Sequence, residues 1–170
     1  MSNPTAITTA IKVVVQEEPF DPYQVTGEHQ ATFDANKCGG IVTFVGTMRD
    51  YNDGHTVSTM HLDHYPGMTE KHIERVCQEA AEKWEVIDIL VVHRYGKIIP
   101  SDAIVLVAVW SSHRANAFDA CRFVINYLKE RAPFWKREAT PTGERWVEHN
   151  TKDPAAEAAS AAAALKKRSA

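Results

Sequence analysis

The 170-residue sequence has only three cysteines, Cys38, Cys77 and Cys121, and no two of them form a CxxC pair. That excludes a zinc ribbon and a thioredoxin-type redox motif, and an odd, widely spaced set argues against a secreted disulfide framework. No HExxH pair, GxSxG elbow or Walker loop occurs, so the common signatures of metal-assisted hydrolysis, serine hydrolysis and nucleotide binding are missing. His61 and His64 are three apart in a strand-like segment, where alternation sends them to opposite faces. No bound metal is therefore expected. No apolar run reaches the roughly 18 residues that a membrane helix needs. The N-terminus lacks a cationic start followed by an apolar stretch, and the first arginine is Arg49. Neither a signal peptide nor an Arg-rich transit peptide is read, and a reduced, cytoplasmic protein is expected.

A basic excess is missing too. Nineteen Lys and Arg stand against 22 Asp and Glu, for a net charge of -3 and a pI of about 6.2. This disfavours a broad nucleic-acid surface. What is present is a globular composition, 44% hydrophobic and 24% charged, at a length that fits one domain. The charge is uneven. From His113 to Trp146 seven Lys and Arg face four Asp and Glu, a net of +3, while the remainder has twelve against eighteen, a net of -6. The basic segment is also rich in aromatics.

Residues 1–10 read as a flexible start and 11–150 as the domain. Ile11 to Val15 is β-branched and reads as a strand. Asp21-Pro22 is a helix start, and Gly27 keeps that helix short. Gly40 to Met48 reads as a strand with a bulge at Gly46. The turn signal Asp50 to Gly54 leads to a second strand, Val57 to His64, and the two are expected to pair as a hairpin. Ile73, Val76, Cys77, Ala80, Ala81 and Trp84 recur at helical spacing. Val86 to Val92 and Ala103 to Trp110 are apolar runs typical of strands buried on both faces, broken around Pro100-Ser101-Asp102. A second long helix is expected from about Arg114 to Arg131, with a stripe of Phe118, Cys121, Val124, Ile125 and Leu128. Pro133 ends it. Trp135 to Thr140 and Arg145 to Val147 read as a last hairpin. Residues 151–170 form an Ala-rich tail, helical or disordered. The fold class is α+β with a partly antiparallel sheet.

Three places offer chemistry. Lys129 lies in the last turn of the second long helix and Lys136 just beyond the Pro133 break. A chain reversal there brings both ammonium groups to one pocket, where two close cations lower each other's affinity for a proton. The alternative is that Lys129 and Arg131 only complement the helix C-terminal dipole. Ser112-His113-Arg114 lies where a buried strand passes into a helix, a junction suited to anions; alternatively Ser112 is an N-cap and Arg114 is solvated. Arg49 sits at a strand exit. Cys77 and Cys121 fall on buried helical stripes and are expected to be inert.

Motifs in a fixed order carry a family resemblance: Gly46-Thr47-Met48-Arg49, His64-Tyr65-Pro66-Gly67-Met68, Ser112-His113-Arg114, the run from Lys129 to Glu138 and Gly143-Glu144-Arg145-Trp146. Over about Gly40 to Glu148 the chain resembles the large, catalytic subunits of molybdopterin synthase, the MoaE family. The resemblance implies an α/β hammerhead-like domain with additional antiparallel β-strands. It implies a sulfurtransferase that moves two sulfurs from the C-terminal Gly-Gly thiocarboxylate of a small ubiquitin-like subunit to cyclic pyranopterin monophosphate, making molybdopterin. It implies a heterotetramer around a self-dimer, with no resident cofactor, no nucleic acid and no membrane. Lys129 and Lys136 match the family's catalytic lysines. Arg49, His113, Arg114 and Arg137 suit an anionic substrate. Glu138 would orient Lys136 or the pterin, and Thr47 and Met48 would line the pocket through backbone contacts. The competing readings are a non-catalytic pterin- or phosphate-binding partner and, further off, a nucleic-acid-binding module.

Overall fold

The two apolar runs become the centre of a four-stranded sheet in the computed structural model, which describes residues 9–147. The chain runs β1 (Ala10–Gln16), α1 (Pro22–Gln30), β2 (Gly40–Thr47), β3 (Tyr51–Asn52), β4 (His55–Thr56), β5 (Thr59–His64), α2 (Met68–Lys83), β6 (Asp88–Arg94), β7 (Gly96–Ile98), β8 (Ala103–Ser111), α3 (Arg114–Arg131), β9 (Phe134–Thr140) and β10 (Gly143–Val147). The first sheet has the order β1-β6-β8-β2, with β1 parallel to β6 and the other pairs antiparallel. The second has the order β10-β9-β5-β7, antiparallel throughout. Helices, a mixed sheet and an antiparallel sheet make the α+β class expected from the sequence. The Ala-rich tail and the start of the chain up to residue 8 lie outside the described residues.

Alternation along β6 and β8 divides the core between two faces. Ile89, Val91, Val105, Val107 and Val109 pack against α2 and α3. Leu90, Val92, Leu106, Ala108 and Trp110 pack on the other face, with Val25 of α1 and Phe33 beyond it. Asp21 caps α1 by accepting from the backbone N–H groups of Tyr23 and Gln24. The polar ends of β6 are each satisfied. Asp88 lies 2.9 Å from His29 Nε2. Arg94 donates to Asp102 and to the carbonyls of Glu17 and Lys97, which ties the turn before β8 to β6.

Two sequence expectations are corrected. β2 and the strand after it are not a hairpin: β2 pairs along its length with β8, and β5 pairs with β7 and β9 in the other sheet. The register shift at Gly46/Thr47 turns the chain out of the first sheet, and the local hairpin there is β3–β4. A continuous apolar strand is a better partner for β2 than the polar segment next in sequence. Second, Phe118 is 55% exposed. The buried stripe of α3 runs instead through Ala117, Ala120, Cys121, Val124, Ile125 and Leu128, because small alanines let the helix lie close to the sheet.

The junction of β2 and α3 is tight. A Cβ at Gly39 would collide with the Ser112 carbonyl oxygen, whereas one at Gly40 would meet only Arg114 Cα at 4.0 Å. Gly39→Ala is therefore expected to lower stability by about 2 kcal/mol and Gly40→Ala to stay within about 0.5 kcal/mol of the parent, read by equilibrium urea unfolding. Equal effects would contradict this packing.

Candidate active site

A cavity of about 590 Å³ opens where the two sheets meet the C-terminal end of α3. Each element delivers a particular group to it. The β2 exit brings Thr47, Met48 and Arg49; the last turn of α3 brings Lys129; β9 brings Lys136 and Glu138 on alternate positions of one face. Apolar walls come from Phe44, Met60, Leu62, Ile104, Leu128 and Phe134 among others. Three cations against one carboxylate leave the lining positively biased, which suits an anionic ligand.

Glu138 is the organising group. It is 2% exposed. Lys136 Nζ lies 2.9 Å from its Oε1, and Asn52 Nδ2 donates to the same oxygen at 2.8 Å. Arg145 donates to Oε2 through Nε at 3.2 Å and Nη2 at 3.0 Å. Burial alone would push the carboxyl's pKa up. The hydrogen bond and charge of Lys136, with the bonds from Arg145 and Asn52, outweigh that and hold it below the ordinary range. The two lysines do line one cavity, as the chain reversal at Pro133 requires. Lys136, however, faces a carboxylate in contact and not only a second cation.

The remaining expected residues are placed as follows. Arg49 is exposed at the rim, its guanidinium 4.9 Å from the ring centre of Tyr51. Met48 is buried and its backbone N–H donates to the Asp102 carbonyl, so its side chain is what it offers. Arg137 does not line the cavity. Strand alternation turns it to the other face, where it pairs with Glu144 at 3.1 Å and lies over Trp146. His113 and Arg114 are also absent from the lining: they are exposed at the first turn of α3, with His113 itself at the N-cap. The fifteen steps from Arg114 to Lys129 span roughly 22 Å of helix. A single chain thus separates these two positions from the lysines.

Asn52 and His93 line the cavity without having been singled out in the sequence, and Arg145, which pairs with Glu138, was named there only as part of the Gly143–Trp146 motif. The expected last hairpin carried the signal for Arg145, since its register sets Arg145 opposite Glu138. Asn52 gave no signal beyond a turn. Burial pushes the Cys77 thiol up to about 12, helped by Glu74, and the Cys121 thiol up to about 11; both are poor nucleophiles, as their stripe positions imply. Among the described residues no group of three or more His, Cys, Asp or Glu could hold a metal ion, and no helix is long and apolar enough to cross a membrane.

The Glu138 cluster makes acid stability predictable. The native carboxyl releases its proton more readily than the unfolded one, whose ordinary value is about 4.3. Its stabilisation is therefore complete above that value and is lost as pH falls through the lower native value. Glu138→Gln should cost about 3 kcal/mol at neutral pH, and the difference should shrink below about pH 4. Urea unfolding from pH 7 to 3 reads this; a difference constant across that range would contradict it.

Comparison with known proteins agrees with the fold. The family model described as MoaE protein matches residues 15–131. The chain is 50% identical over 141 residues to the molybdopterin synthase catalytic subunit of Ralstonia nicotianae, covering 82% of this chain and 78% of that one. It is 46% identical over 142 residues to the same subunit of Escherichia coli, covering 84% and 93%. The solved MoaE structure from Burkholderia ambifaria superposes with a TM-score of 0.71 at 44% identity, covering 87% of this chain and 96% of that one. By matched length, identity and fold, this chain belongs to the MoaE family.

Proposed function

We propose that the chain is a sulfurtransferase subunit that uses the Lys129–Lys136 cavity to convert cyclic pyranopterin monophosphate to molybdopterin. The observation that carries this reading is the meeting of Lys129, Lys136 and Arg49 in one cavity, with Glu138 holding Lys136 in place. The substrate carries an anionic cyclic phosphate. The sulfur donor is a second anion, the C-terminal thiocarboxylate of a small ubiquitin-like partner. Two anions brought together repel each other, and the cationic lining offsets that repulsion. A cavity open to solvent on one side can admit an extended Gly-Gly tail, which has no side chains to obstruct it.

In each transfer the thiocarboxylate sulfur bonds to a pterin side-chain carbon as that carbon's bond to oxygen breaks, the oxygen leaving with the opened cyclic phosphate at one carbon and as water at the other; the sulfur's bond to the tail carbonyl is then cleaved by water. Water's oxygen takes the place of the sulfur at the terminal glycine carbonyl, and the tail departs as a carboxylate. Lys129 is the group assigned to proton transfer or transient adduct formation at that carbonyl. Lys136, positioned by Glu138, stabilises the negative charge that develops there. Arg49 at the rim binds the phosphate, where a guanidinium can make paired hydrogen bonds. Thr47 and Met48 line the wall beside it. No resident cofactor or metal enters this scheme.

His113 and Arg114 remain in the proposal as anion-binding groups. Their separation from Lys129 within one chain means that a self-dimer is the arrangement able to bring them to a cavity, that of the other copy. Arg137 is left to its pair with Glu144 on the outer face. A cytoplasmic location goes with this reading, since the partner and substrate are intracellular metabolic components.

Reconstitution with a thiocarboxylated small subunit and precursor tests the assignment. Lys129→Ala and Lys136→Ala are each expected to lower dithiolene formation by about 10²-fold or more. Lys129 is exposed, so its variant should keep the parental unfolding midpoint. Arg49→Ala is expected to raise KM for the pterin about tenfold. Normal turnover by Lys129→Ala would reject the proposal.

A further inference from the structure

His93 is a titratable side chain in the cavity wall that the proposed chemistry leaves unused. It ends the helix-facing row of β6, Ile89, Val91, His93, so an imidazole stands where another branched aliphatic would extend the core. It is 7% exposed, and its ring stacks on Phe134 with centroids 3.9 Å apart and planes 16° from parallel. Polar groups at otherwise apolar positions tend to mark function.

The ring's tautomer follows from its neighbours. Nδ1 lies 2.8 Å from the Arg94 carbonyl oxygen, which only accepts, so Nδ1 carries the hydrogen and donates. Nε2 is then the lone-pair nitrogen, the ring's own hydrogen bond being the one made by Nδ1. Burial pulls the imidazole's pKa down to about 4; the Arg94 hydrogen bond opposes this and nearby His64 adds to it. The ring is neutral near pH 7 and can accept. The other charged side chains in the wall are complementary: Arg49, Lys129 and Lys136 offer donors, and both Glu138 oxygens are occupied by Lys136, Asn52 and Arg145.

We infer that His93 Nε2 accepts a hydrogen bond from an N–H of the substrate's nitrogen heterocycle, fixing the ring's orientation while the cations hold the phosphate. This makes His93 a specificity-determining residue. The cavity then reads its ligand at two ends, anion by cations and heterocycle by one neutral acceptor. The inference rests on the pterin substrate class proposed above.

The test is calorimetric binding of cyclic pyranopterin monophosphate and, separately, of inorganic phosphate to the full chain. His93→Phe keeps a ring against Phe134 and removes the acceptor. It is expected to weaken pterin binding about tenfold, the scale of one lost hydrogen bond, and to leave phosphate binding unchanged. His93→Gln, which reaches as far as Nε2 and retains an acceptor, should recover most of the affinity. His93→Asn keeps a donor for the Arg94 carbonyl but is too short to reach a ligand. It should show the Phe-type loss, and it carries the test if the Phe variant does not fold. Equal pterin affinity in the parent and these variants, or a parallel loss of phosphate binding, overturns the inference. A parent chain that does not bind the pterin overturns the functional reading along with it.

Discussion

A carboxylate removed from water and surrounded by three donors holds this site together. Glu138 accepts from Asn52 on β3, from Lys136 on its own strand β9 and from Arg145 on β10. Burying a carboxylate is costly unless its oxygens are matched, and here the match draws together three segments that are far apart in sequence or on separate strands. The same bonds that make the burial tolerable fix where the Lys136 ammonium can sit. Arg145 also reaches Asp53 at 3.5 Å, which links the β3–β4 hairpin more firmly to the edge of the second sheet.

The remainder of the fold supplies a rigid frame for that cluster. β6 and β8 are covered on both faces and run to the cavity, so their ends are well determined. The Gly46/Thr47 irregularity turns β2 out of the sheet and sends Arg49 to the rim. A Cβ at Gly46 would lie 2.8 Å from Val105 Cγ1, so the wall is packed to the glycine's own surface. The C-terminal end of α3 and the start of β9, separated by Pro133, are the two arms that carry Lys129 and Lys136 to opposite sides of one opening.

Much of the fold was legible because its elements are strongly patterned. Both apolar runs, both long helices, the Gly46 bulge and the last hairpin follow from periodicity and turn chemistry. The pairing of β2 was not, since the partner that wins lies far along the chain, with Gly40 opposite Ser111 and Thr47 opposite Ala103, and is chosen by burial on two faces. Phe118 was misread because size was taken for burial, whereas close helix–sheet contact favours Ala117 and Ala120. At the site, Lys129, Lys136 and Arg49 stood out by position and Thr47, Met48 and Glu138 by motif resemblance, and the structure gathers them around one cavity. Arg137 lies on the face of β9 turned away from this cavity, and His113 and Arg114 lie a helix-length from it. Asn52 could not be found from sequence, because its role exists only once the β3–β4 hairpin folds over β9.

In the proposed function Glu138 acts through Lys136 and not on the substrate directly. A double-mutant cycle in the reconstituted synthase tests this, with Glu138→Gln and Lys136→Met made singly and together and read as turnover. Glu138→Gln is expected to lower turnover in the parent but to have little further effect once Lys136 is replaced, the non-additivity expected of residues that work as a unit. Fully additive losses would contradict it.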